Sequence, residues 1–280
     1  MAETTEFETI LVDRPRDHIQ RITLNRPDKR NALNNTLRTE ILSALTQGDQ
    51  DPDIHVSILR GAGKCFCAGY DLGADNREGQ PYYTPGGLGQ WPRHVIEGSF
   101  TIWDLAKPVI AQVHGYCLAG GSELATACDL VYVAEDAEIG YPPVRLMSPP
   151  DMQFHPWLMG MRDAMEHMLT GDSISGIEAA QSGFANKAVP ADQLENYVLD
   201  RAERVAKVPS DIQQINKRSV HRAMEIMGVR SAIRSGTEMQ ALAFQTDSFK
   251  EYIQEFKKGV SHALNVRDKK FGDYRTKSEE

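Results

Sequence analysis

The stretch HGYCLAGGSELATACDL, residues 114–130, decides how this chain is read. The apolar run KPVIAQVHG leads into it as a strand, Gly120 and Gly121 sit at its centre, and DLVYVAED follows as a second strand. Glycines belong where backbone turns sharply or approaches another group closely. Glu123 comes almost at once, and a lone carboxylate is costly if it is buried. On the residues alone two readings stand side by side. In one, the glycines allow tight packing and Glu123 is a charge at a helix N-terminus. In the other, a helix opening at Gly120 aims free N–H groups and its positive end into a cleft, with Glu123 beside it as an acid or base.

Outward from this segment the chain alternates strands and helices, which predicts an α/β layered fold. FETILV (7–12) and IQRITLN (19–25) predict a β-hairpin around a polar turn. NTLRTEILSALTQGDQD carries apolar residues at helical spacing, with Asn34 or Asn35 as the N-cap. IHVSILRGAG predicts a buried strand, followed by KCFCAGYDL and a long Gly-, Pro- and Tyr-rich stretch from Gly73 to Gln90. Loops of that length are usually functional lids or disordered segments. A helix is expected from Pro92 to Ala106 and another over FHPWLMGMRDAMEHML; beyond Pro190 the pattern is almost continuously helical. The expected division is an α/β core over 1–190 and a helical region over 191–280.

Composition sets the outer limits. Among 280 residues, 41% are apolar and 25% charged, enough for a large core. The net charge of -8 argues against nucleic acid, whose phosphates require basic surface. No apolar run approaches the roughly 18 residues of a membrane span, and MAETTEFETI has neither the basic start nor the apolar centre of a secretory signal. Four cysteines (Cys65, Cys67, Cys117, Cys128) make no disulfide framework in a chain this size. A cytoplasmic protein is expected, with no membrane partner. Dinucleotide, phosphate-loop, nucleophile-elbow and HExxH motifs are absent, C-x-C without a second cluster does not make a zinc site, and no metal is expected. His114 and His155 read as structural.

FCAGYDL (66–72) and YCLAGGSEL (116–124) share a design: each brings glycine-bearing backbone to the end of a strand. N–H groups from Ala68 and Gly120 converging on one point would make an oxyanion hole. That suits a carbonyl that gains negative charge, most naturally a thioester passing through an enolate.

At these residues the sequence resembles the crotonase family, the enoyl-CoA hydratase/isomerase superfamily. The resemblance is carried by NRPDKRNALN, KCFCAGYDL, KPVIAQVHGYCLAGGSELATACDL and MLTGDSISGIEAAQSGFANKAVPADQL, in that order over Asn25 to Leu194. It implies a spiral of stacked β-β-α turns with a C-terminal helical oligomerisation segment, assembled as a homotrimer or dimer of trimers. It implies an acyl-CoA enzyme of fatty acid metabolism, most naturally one hydrating a 2-enoyl-CoA. The coenzyme A thioester is then the substrate, and no further cofactor is needed. Ala68 and Gly120 match the oxyanion pair, and Glu123 the first of two catalytic glutamates. Lys29, Arg30 and Ala32 match CoA contacts, and the stretch Ala68, Gly69, Tyr70, Asp71 and Leu72 borders the adenine and pantetheine.

One departure bears directly on mechanism. The second glutamate of family hydratases belongs in a G-x-P-E context, and here IGYPPVRLM places Pro143 there, still within the CoA-binding region. Glu123 is therefore expected to work without its usual partner. The following loop, SPPDMQFHPWLMG, offers Asp151 and His155 as replacements; Asp151 reads otherwise as a turn residue or helix N-cap. The alternatives are a hydrolase or decarboxylase using Asp151, or a catalytically weak acyl-CoA-binding paralogue. Tyr70, Tyr82, Tyr83 and Trp91 are expected to wall the acyl pocket.

Overall fold

The computed structural model describes residues 7–274 apart from 75, 77, 78, 88 and 153, so part of the long loop of Gly73 to Gln90 lies outside the described residues. In chain order the elements are β1 (Ile10–Arg16), β2 (Ile19–Leu24), α1 (Asn35–Gln50), β3 (Val56–Gly61), α2 (Gln90–Asp104), β4 (Val109–Val113), β5 (Tyr116–Leu118), α3 (Gly120–Thr126), β6 (Leu130–Ala134) and β7 (Glu138–Gly140). They continue with α4 (His155–Leu158), α5 (Met161–Thr170), β8 (Ile174–Ser175), α6 (Gly176–Ser182), β9 (Lys187–Val189) and five helices: α7 (Leu194–Ala206), α8 (Ser210–Ile226), α9 (Val229–Ala243), α10 (Asp247–Glu255) and α11 (Val260–Asp268).

Six strands form one sheet in the order β1-β2-β3-β4-β6-β9, antiparallel only at the β1–β2 hairpin. Parallel strands are covered on both faces, so they read as unbroken apolar runs; every residue of β4 is buried. A smaller sheet, β5-β7-β8, stands apart and carries the chain into and out of the Gly120 region. The two layers meet at Cys67, which bridges to Cys117. All four cysteines are free and buried, and burial pushes the Cys67 thiol up to about 12, consistent with core packing rather than reactivity.

Local chemistry accounts for the boundaries. Asn34 caps α1, its side chain accepting from Leu37 N–H at 2.9 Å. Asn31, wholly buried, ties the preceding loop down by donating to the carbonyls of Ala62 and Cys65, each at 2.9 Å, and accepting from Arg26 N–H. The single helix expected over FHPWLMGMRDAMEHML is instead two, α4 and α5, parted at Gly160 where φ is +78°. Such a φ is open to glycine and interrupts a helix. In the helical region, α7 packs on strands β2, β3, β4 and β6, and α9 packs on α2. Among the described residues no helix is long and apolar enough to cross a membrane.

Candidate active site

The site forms where the loop after β3 meets the start of α3. Ala119 precedes α3 with φ +50° and ψ −123°, a conformation costly for a residue with a side chain. It is held there from both sides: its N–H donates to Gly140 O at 2.8 Å, and its carbonyl accepts from Glu123 N–H and the Ser122 hydroxyl. The twist leaves the Gly120 N–H, first of the helix, outside the intrahelical ladder. The two glycines are required by crowding. A methyl at Gly120 would lie 2.5 Å from the Tyr70 ring, and one at Gly121 would collide with the Cys67 carbonyl. Gly69, at φ +105°, backs directly onto Ala119 and Gly120.

Ala68 does not offer the donor expected of it. Its N–H is taken by the Arg30 carbonyl at 3.0 Å, and the Gly69 N–H is directed at the Cys67 sulfur at 3.4 Å. The next amide, Tyr70 N–H, has no hydrogen-bond partner among the described residues, because the Leu33–Tyr70 bridge uses Gly69 O and Asp71 N–H. Glycine at 69 turns the chain so that the free amide falls one residue beyond it. The available pair is therefore Tyr70 N–H and Gly120 N–H.

Glu123 is 1% exposed, and so is Asp151, which the loop after β7 brings to its side. Met152 N–H donates to Glu123 Oε1 at 3.1 Å, Asp151 N–H points at the same carboxyl, and the Tyr70 hydroxyl lies 3.4 Å from Oε2. Tyr141, also buried, is a further hydroxyl partner. Burial pushes Glu123 up to about 7 against these donors. Burial, and then the nearby Glu123, push Asp151 well above the usual carboxylate range, and its Oδ1 has no partner. Two buried carboxyls of this kind share protons as a pair. Glu123 has more hydrogen-bond donors around it than Asp151, and these favour its ionised form. Of the two replacements that the loop offers, Asp151 is the one brought beside Glu123, whereas His155 packs against His167 and Phe184.

Pro143 sits in the segment that leads to Asp151. It lies in a single 3-10 turn, Pro142–Arg145, and its carbonyl accepts from the N–H groups of Leu146, Met147 and Ser148, turning the chain back toward Glu123. Asp151 is neither a solvated turn residue nor a helix cap. Gln240 of α9 reaches in from the helical region, its Nε2 3.4 Å from Ser148 Oγ, and it also bonds the Asp151 carboxyl. Sequence patterning held no signal for Gln240 or Tyr141, because each arrives through tertiary packing.

The remaining expected residues are spread around this centre. Lys29 and Arg30 are exposed on the loop before α1, and Ala32 is half-buried beside them. Asp71 is paired with Arg26 at 2.9 Å, and Leu72 is 39% exposed. Of the four aromatics, Tyr70 lines the pocket beside Gly120, but Tyr83 is 87% exposed and Tyr82 stacks on His94. Trp91 packs edge-on against Tyr70 at 5.3 Å instead of facing the pocket. Its walls are aliphatic because α1 and α2 present Ile41, Val95 and Ile102 there. His155 is wholly buried against His167 and Phe184, with burial pulling it down to about 3. His114 bonds the Gly63 carbonyl at 3.0 Å. No cluster able to hold a metal ion occurs among the described residues.

Unpaired amides at Tyr70 and Gly120 near a buried carboxyl pair are an arrangement suited to acid–base chemistry at a carbonyl compound. Comparison with known proteins gives that class its family. Residues 15–264 match the enoyl-CoA hydratase/isomerase family model. A Mycobacterium bovis protein named "Probable enoyl-CoA hydratase" is 35% identical over 224 residues, covering 78% of this chain and 83% of that protein. The mitochondrial enoyl-CoA hydratase of Pongo abelii is 32% identical over 261 residues, covering 91% and 87%. An enoyl-CoA hydratase structure from Mycobacterium smegmatis superimposes with a TM-score of 0.87 at 29% identity, covering 96% of each chain. One of an enoyl-CoA hydratase/isomerase from Xanthobacter autotrophicus Py2 gives 0.85 at 30%, covering 95% and 99%. The chain belongs to the enoyl-CoA hydratase/isomerase family.

Proposed function

We propose that this protein hydrates a 2-enoyl-CoA, with Glu123 and Asp151 as its acid–base pair. The observation that carries the reading is the burial of these two carboxyls together, beside the unpaired amides of Gly120 and Tyr70. The thioester oxygen sits between the two amides, each worth about 3 kcal/mol to the developing enolate. The Glu123 carboxylate takes a proton from water as its oxygen bonds to C3. Protonated Asp151 then delivers a proton to C2 as the enolate collapses. One H and one OH are added, the charge of the pair is unchanged, and passage of the proton from Glu123 to Asp151 restores the starting state.

Lys29 and Arg30 meet the CoA phosphates, with Ala32, Ala68, Gly69, Asp71, Leu72 and Pro143 bordering the rest of the coenzyme. Tyr70 and Gly120 contact the thioester, and the chemistry needs no metal or other cofactor. Free buried cysteines favour a reducing, cytoplasmic setting. Exposed apolar side chains at helical spacing on α5 (Met161, Met165, Leu169) favour a homotrimer or dimer of trimers, with these faces buried between copies.

The test is turnover of crotonyl-CoA and bulkier 2-enoyl-CoAs by the parent, Glu123→Gln and Asp151→Asn proteins. Hydration lost in both variants supports the reading. Thioester cleavage sensitive only to Asp151 moves the activity to hydrolysis, a reading that the burial of Asp151 at the thioester site favours second. Tight binding without turnover across the panel would leave an acyl-CoA-binding protein.

A further inference from the structure

The pocket beside Gly120 has aliphatic walls, among them Ile41, Val95, Ile102 and Leu124, and the charged residue lining it is Arg38. Arg38 stands half-buried on α1. Its guanidinium lies 5.3 Å over the Trp91 ring, and Nη1 donates to Asn35 Oδ1 at 3.1 Å. No carboxylate forms an ion pair with it among the described residues. Asp151 is near enough to feel the charge, yet its Oδ1 accepts no hydrogen bond. A guanidinium carries five donors in a planar fork, and here one of them meets a neutral amide oxygen. None of its nitrogens is a buried donor without a partner, so the rest of the fork is open to solvent while the pocket is unfilled. An unbranched hydrocarbon chain there would cover those donors without offering acceptors, whereas a carboxylate would satisfy the fork with two parallel hydrogen bonds. The CoA phosphates are poor occupants of an aliphatic pocket, and the exposed Lys29 and Arg30 are available for them.

We infer that Arg38 selects acyl groups ending in a carboxylate, so that the substrate is the CoA thioester of a short unsaturated dicarboxylic acid. This inference rests on the enoyl-CoA reading above, with the thioester oxygen at Gly120 and the distal carboxylate on Arg38. Lysine would supply the charge without the fork, and leucine neither.

The experiment measures dissociation constants by calorimetry for shape-matched saturated thioesters that cannot be hydrated at a double bond: succinyl- against butyryl-CoA, glutaryl- against valeryl-CoA, adipyl- against hexanoyl-CoA. Parent, Arg38→Leu and Arg38→Lys proteins are compared. In the parent, at least one diacid is expected to bind tenfold or more tightly than its neutral match, with the preference reduced in Arg38→Lys and reversed in Arg38→Leu. On the corresponding unsaturated pair, the Arg38→Lys change should appear in KM more than in kcat. Neutral chains binding the parent as tightly as the diacids, or a diacid preference surviving in Arg38→Leu, overturns the inference while leaving the enoyl-CoA reading intact. Failure of every thioester to bind the parent overturns both.

Discussion

Replacing Glu123 by Gln should make the protein more stable in alkaline solution and leave it unchanged in acid. In the fold the Glu123 carboxyl is held at about 7 by burial, against 4.5 when free. Below pH 4.5 folded and unfolded chains both bind the proton, and ionisation does not affect stability. Between 4.5 and 7 the unfolded chain releases the proton while the folded one keeps it, so stability falls as pH rises. Above 7 both are ionised and the full difference has been lost, about 3 kcal/mol for a separation of this size. Glutamine keeps the shape and an oxygen for Met152 N–H but never ionises. Denaturant titrations at fixed protein concentration from pH 4 to 9 should therefore show matching curves near pH 4 and a gap of about 3 kcal/mol at pH 9, with Glu123→Gln the more stable. Parallel curves across the whole range would refute the claim that this carboxyl titrates in a buried setting.

Other consequences are as direct. Gly120→Ala pushes a methyl to 2.5 Å from the Tyr70 ring at the proposed thioester site, so hydration should fall by about 100-fold or more and the thermal midpoint should drop as well. Asn31→Ala strips the buried carbonyls of Ala62 and Cys65 of a donor and places alanine at φ +53°; a loss of about 3 kcal/mol is expected in denaturant midpoints. The Arg145 side chain is 1% exposed and pairs with Asp172, Asp268 and Asp273, joining the end of α5 to the last helix. Arg145→Ala should cost about 3–5 kcal/mol and show first as lost amide protection in α11 by hydrogen exchange.

Much of the scaffold was legible because burial on two faces writes itself as apolar runs: β3, β4 and β6 are such runs, and the Asn34 cap is a local signal. The catalytic region was legible where backbone demands glycine, at Gly69, Gly120 and Gly121. The pattern points to the Ala68 amide, whereas the amide left unpaired is Tyr70's, because the Arg30 carbonyl takes the Ala68 N–H. The Glu123–Asp151 pairing was hidden for a related reason. Only the three-dimensional course of the loop after β7 brings Asp151, 28 residues on in sequence, to the side of Glu123. Strands of two or three residues, such as β7 and β8, are too short for any periodicity to register. Arg38 sat within an ordinary helical pattern, and its significance depends on what α2 places opposite it.

The central claim is that Glu123 and Asp151 act as one unit, and a double-mutant cycle followed over pH tests it most directly. Initial hydration rates are measured for the parent, Glu123→Gln, Asp151→Asn and the double variant, using the most reactive 2-enoyl-CoA. The parent profile should be a bell whose rising limb falls near pH 7, where Glu123 ionises. Each single change should lower the rate by about 10²–10⁴-fold, and the double variant should be little worse than the poorer single one. An Asp151→Asn protein that hydrates at the parental rate with an unaltered pH profile would contradict the account.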